Sequence, residues 1–187
     1  MTRLLPEQTR ATPSPLRRFN ATSADEARQI LLSCLRSLRW ADRVTAHRPY
    51  PDLDALLAAA DEAAYDLTPS DLAEALAAET LPPLPEATYE AAHMALSAAR
   101  AAYEARFGHG FVIYLGDTAP DEALDRTLEA IRSRLVNDPE DERLAAAEEL
   151  RRLAGERLAG LLTGAGPRPP AAPPWGAAGR NASAAGK

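Results

Sequence analysis

Through most of the chain apolar residues recur at steps of three and four, the period of a helix that buries one face. Over residues 23–40 the stripe is Ala24, Ala27, Ile30, Leu31, Cys34, Leu35 and Leu38, reaching Trp40, and Ser23 and Glu26 are spaced as a capping box. Asp52 can cap a second helix whose Leu53, Leu56, Leu57, Ala60 and Ala64 share a face. Thr68-Pro69-Ser70-Asp71 offers an N-cap, a proline at the first helical position and an acid at the third, with Leu67 and Leu72 placed as a hydrophobic staple. That helix must stop by Thr80, because Leu81-Pro82-Pro83-Leu84-Pro85 cannot continue it. From about Glu86 to Phe107, Tyr89, His93, Leu96, Arg100, Tyr103 and Phe107 fall on one face, and Gly108 ends the run. Thr118 and Asp121 open a helix with Leu124, Leu128, Ile131 and Leu135 on one stripe. Asp138-Pro139 opens the last, which runs to about Leu162.

Phe111-Val112-Ile113-Tyr114 is the single short run of β type, and one run makes no sheet, so it reads as an extended connector. The pattern therefore predicts an all-α fold, one helical bundle of six or seven helices over residues 16–162. Residues 1–15 are polar and proline-punctuated and read as a flexible lead-in. Residues 163–187 are rich in Pro, Gly and Ala without apolar periodicity, which predicts a disordered tail in which Trp175 is solvated.

Composition narrows the function. With 187 residues, 46% apolar and only 5% aromatic, the chain can bury one core, and its reliance on alanine suits closely packed helices. A net charge of −6 gives no electrostatic reason to expect nucleic acid or an anionic membrane as partner. No window holds the roughly 18 consecutive apolar residues of a membrane span, and MTRLLPEQTR lacks the apolar centre of a secretory signal, so a cytoplasmic protein is expected. Cys34 has no partner for an internal disulfide and reads as an inert core thiol. His47, His93 and His109 are in no zinc-ligand spacing, so no structural metal is expected. Neither a P-loop nor a G-x-G-x-x-G turn is present to hold a nucleotide cofactor.

Several pieces in one order carry a resemblance: Phe19-Asn20, the Leu32-x-Cys34-x-x-Ser37-x-x-Trp40-Ala41 helix, Arg48-Pro49-Tyr50, Tyr103-Glu104-x-Arg106-Phe107-Gly108, Phe111-Val112-Ile113, Arg134-Leu135-x-Asn137-Asp138-Pro139-x-x-Glu142 and Arg157-Leu158. Over about residues 16–162 the chain resembles the OHCU decarboxylases, which convert 2-oxo-4-hydroxy-4-carboxy-5-ureidoimidazoline into (S)-allantoin at the end of urate oxidation. The resemblance implies an all-α homodimer, a small carboxylate substrate, and neither metal nor organic cofactor. Loss of CO2 leaves a carbanion that the adjoining ring delocalises, so the protein must orient the carboxylate and deliver one proton to one face.

The resemblance also implies a site. Arg157 stands at the family's last-helix arginine and Phe111 to Ile113 at the connector whose backbone meets substrate. Arg157 shares a stripe with Leu150, Ala154 and Leu161, so it should point inward, where it must find an anion: substrate, or an acid of a neighbouring helix. Phe111 and Ile113 read equally well as core. Where the family has Ala-His-Pro-Arg-Ile-Gly, this chain has Ala78-Glu79-Thr80-Leu81-Pro82-Pro83, which puts Glu79 in the place of the catalytic histidine. Burial would have to raise the Glu79 pKa for it to donate a proton. Tyr89-Glu90 is the nearest remnant of the family's Glu-Gln pair, and His93, one turn on, is a replacement imidazole or a packing residue. Arg157, His93 and Glu90 are thus expected to face one cavity, with Phe111 to Ile113 forming part of its wall and Glu79 at its rim. Two functions follow: a carboxy-lyase using Arg157, His93 and Glu90, or a non-catalytic helical module that binds a small ligand or a protein.

Overall fold

A computed structural model describes residues 13–81 and 90–164. Eight helices appear among them: α1 (Pro15–Ala21), α2 (Ala24–Leu32), α3 (Leu38–Ala46), α4 (Leu53–Tyr65), α5 (Pro69–Ala78), α6 (Glu90–Phe107), α7 (Ala123–Arg134) and α8 (Pro139–Thr163). The fold is all-α. The expected lead-in, apart from its last residues, and the tail with Trp175, apart from Thr163 and Gly164 at the end of α8, lie outside the described residues, as do Tyr89 and the first turn expected before α6.

Two departures raise the helix number. The stripe over residues 23–40 is two helices, because Ser37 is extended and fully buried and its side chain accepts from the Trp40 N–H, starting α3 afresh. Periodicity could not show the break, since Cys34 and Leu35 in the bend are buried like helix residues. The other addition is α1, where Ser14 caps, Pro15 takes the first position and Phe19 is buried. Seven residues are too few to show a stripe. The helix expected to open at Thr118 starts at Ala123, since the Thr118 hydroxyl donates to the Leu115 carbonyl in a turn and Glu122 at the N-cap makes no side-chain bond.

The long α8 is the spine. Its Ala146, Leu150, Ala154, Leu158 and Leu162 are buried at steps of four, and it packs on α4, α1 and α5. Leu161, expected inward, is 42% exposed, since the stripe passes through its neighbours Leu158 and Leu162. The main core also takes Leu31, Leu35, Trp40, Val44 and Leu56. Trp40 anchors α3 to α4 by donating its indole N–H to the Ala60 carbonyl at 2.8 Å. A smaller core joins α6 and α7 through Leu96, Tyr103, Phe111 and Ile131. Phe19-Asn20 and Arg48-Pro49-Tyr50 form one knot. Asn20 exchanges hydrogen bonds with the Tyr50 backbone, while Arg48 donates to the Phe19 and Thr22 carbonyls at the C-terminal end of α1.

Candidate functional site

Glu79 is the C-cap of α5, where the chain turns extended and carries the side chain under the bundle, leaving it 8% exposed. Arg157 reaches it from α8. The two pair fork to fork, Nη1 to Oε1 and Nη2 to Oε2, both at 2.8 Å, and Nη1 also donates to the Cys34 carbonyl at 3.0 Å. That carbonyl points here because the α2–α3 break at Cys34 removes it from any helix ladder. The Glu79 hydrogen bonds hold the Arg157 guanidinium above its already high range, against the effect of burial. One face of it stays open, since the side chain is 36% exposed. The Cys34 thiol is buried and pushed up to about 11 by desolvation, so it is a protonated packing group at neutral pH.

The connector reaches the same place. Gly110 packs on the end of α5, where a Cβ would make ordinary van der Waals contact with the Glu79 carbonyl at 3.8 Å and that of Leu76 at 3.9 Å. The following residues alternate: Val112 enters the main core, while Phe111 and Ile113 turn into the smaller one. What the connector offers a ligand is therefore backbone. Its Tyr114 N–H is held by the Glu149 carboxylate on α8.

Glu90 and His93 lie elsewhere. Both are exposed on the first turn of α6, whose main neighbour is α7, and its buried positions begin only at Leu96. The stripe that turned His93 inward holds for Leu96, Tyr103 and Phe107, but one turn earlier His93 is exposed. Nothing among the described residues joins His93 or Glu90 to the Arg157–Glu79 pair, so the expected shared cavity is not what they form. A cavity of about 310 Å³ lies instead between α4 and α8, against Asp61 and Arg151, and none of the sequence-predicted site residues lines it. His109 is half-buried with its ring edge-on to Tyr103 at 5.5 Å. Among the described residues no group of three or more His, Cys, Asp or Glu is arranged to hold a metal.

One cluster escaped the sequence reading. Glu142 is fully buried near the start of α8 and accepts from the Tyr103 hydroxyl, from Arg134 Nε at 2.8 Å and Nη2, and from Asn137 at 3.0 Å. Arg134 also gives Nη1 to the Val112 carbonyl at 2.7 Å and lies over the Phe111 ring at 4.7 Å. The signal was present: Glu142 begins the step-of-four stripe that Ala146 and Leu150 continue, and a carboxylate there must have partners.

Comparison with known proteins places this geometry. The family model described as OHCU decarboxylase matches residues 20–159. Among solved structures, an OHCU decarboxylase determined in the presence of (S)-allantoin is similar at 20% identity and a TM-score of 0.63, over 76% of this chain and 99% of that one. An (S)-allantoin synthase is similar at 19% identity and a TM-score of 0.61, over 79% of this chain; the match spans only about half, 54%, of that protein. Curated protein sequences give no match.

Proposed function

Because the chain belongs to the OHCU decarboxylase family, we propose that it is a carboxy-lyase that converts OHCU into (S)-allantoin, with Arg157 and Glu79 as its working pair. One observation carries the reading. The positions of the family's arginine and catalytic histidine, 78 residues apart in sequence, meet through two hydrogen bonds, with the connector against one of them.

Arg157 binds a carboxylate in the observed structure, and that carboxylate is Glu79. The substrate carboxylate is the same fork-shaped anion and takes Glu79's place on the guanidinium. Glu79, released from its cation, takes up a proton from solvent. The bond from the ring carbon to the carboxylate carbon breaks, CO2 leaves, and its electron pair spreads into the ring. Protonated Glu79 returns its proton to that carbon on the face it occupies, which fixes the configuration, and re-pairs with Arg157 as product departs. Connector backbone groups orient the ring. His93 and Glu90, at the surface, would act at most on proton exchange with solvent.

The test is a coupled assay with freshly generated OHCU, scored for (S)-allantoin above spontaneous decay. Enantiomerically enriched product that disappears in Arg157→Ala supports the reading; racemic product at the spontaneous rate overturns it and leaves the binding module.

For the homodimer that the resemblance implies, we assign the contact to the outer face of α6. Ala91, Met94, Ala95, Ala98, Ala101, Ala102 and Ala105 are exposed there. About Ala98 the pattern is its own antiparallel complement, setting Met94 against Ala102 and Glu90 against Arg106 of a second copy. Light scattering on the full chain should give twice the monomer mass, and Ala98→Glu should halve it; a monomeric parent protein refutes the assignment. We place the reaction in the cytoplasm.

A further inference from the structure

We infer that Arg134 is a positioning residue for this site, a strut that holds the connector backbone against the Arg157–Glu79 pair; the inference rests on the decarboxylase reading above.

The connector has neither a helix nor a strand to fix it. Among the described residues its backbone is tied at two points by side chains: the Val112 carbonyl by Arg134 and the Tyr114 N–H by Glu149. The first tie is the more rigid. Arg134 is 11% exposed, its Nε and Nη2 are committed to Glu142, and its plane is pressed on Phe111, so the remaining Nη1 has one direction in which to donate. Glu142 is in turn fixed by Tyr103 and Asn137. A network this complete exceeds what neutralising one buried carboxylate requires, since Tyr103, Asn137 and any cation would do that. What it adds is a fixed point for Val112, two residues after the glycine that abuts Glu79. Arg134 touches neither Arg157 nor Glu79 and acts on the substrate site through the connector.

Removing Arg134 alone would strand the Glu142 charge at a fully buried point, so the informative variants are Arg134→Met with Glu142→Gln, which empties the network of charge, and Glu142→Gln alone, which removes the countercharge of Arg134 but keeps an amide oxygen for it and its bond to Val112. Hydrogen exchange of the 111–114 amides and steady-state kinetics are measured on both and on the parent protein. The double variant should exchange those amides at least tenfold faster and lose at least tenfold in kcat with KM within about threefold, while Glu142→Gln stays near the parent on both measures. Arg134→Lys, which keeps charge but cannot donate to Glu142 and Val112 together, should fall between. Unchanged exchange at 111–114 in the double variant overturns the strut. Faster exchange with unchanged kcat overturns the positioning role, and equal losses in both variants assign the network to stability alone. If the parent protein forms no (S)-allantoin above spontaneous decay, the decarboxylase reading fails by itself, and the exchange comparison still decides whether Arg134 holds the connector.

Discussion

At Glu79 the chain carries an acid where the resemblance implies an imidazole, and that acid pairs with Arg157. A histidine beside Arg157 would leave the guanidinium free for substrate, whereas Glu79 occupies it on both prongs. Glu79→His should therefore raise kcat/KM, by about tenfold or more, by removing a competitor and supplying an acid whose pKa lies near neutrality. A lower value would count against the exchange step. Arg157→Ala should abolish turnover and lower stability by roughly 1–2 kcal/mol in urea melts, less than for a fully buried pair because Arg157 is partly solvated. Tyr103 gives a pH prediction. Burial, and its bond to Glu142, hold the phenol above its ordinary value, so its contribution is complete below pH 10 and is lost as pH rises through the folded value. Lys187 is the sole lysine, so lysines scarcely obscure this range. Tyr103→Phe should flatten the alkaline fall in melting temperature between about pH 10 and 12.

Among the elements, the caps decide boundaries that the apolar stripes leave open. In α5 the Thr68 hydroxyl accepts from the Asp71 N–H while the Asp71 carboxylate accepts from the Thr68 N–H and hydroxyl. Those bonds hold Asp71 below the usual carboxylate range. A depressed acid stabilises above its unfolded pKa and loses that contribution as pH falls through the folded one. Thr68→Ala should therefore cost about 1 kcal/mol at pH 7 and distinctly less near pH 2 to 3, read from urea midpoints at both values. An equal loss at both would show that the box works without the carboxylate charge. Because α5 delivers Glu79, a frayed α5 should also raise KM.

Taken whole, the molecule has two cores of unequal depth. The larger involves α1 to α5 and α8; the smaller is α6, α7 and the connector, tied to α8 by Glu142 and Glu149. Much of α6 is exposed, with Leu96 and Tyr103 its buried residues. Native-state hydrogen exchange should show α6 opening at lower free energy than α8, by about 2 kcal/mol or more. A single global opening for both would mean that the polar ties make one cooperative unit.

Periodicity and caps determined the helical class, the spans of α4, α5 and α8 and the connector, because each depends on residues near one another in the chain. The motifs went further: read in order they named the family, and they put Arg157 and Glu79 at positions that the fold brings together. Tertiary structure alone decided whether a stripe is covered. His93 and Leu161 satisfy the period of a buried face yet lie exposed, since burial needs a neighbour and the period records only an angle. It also decided who pairs with whom. Arg157 could have met substrate or any acid, and the partner is Glu79 because the end of α5, the break at Cys34 and the face of α8 converge. The same holds for Glu142 and Arg134, eight residues apart, whose meaning lies in Tyr103 and Val112, brought from far along the chain to one buried point.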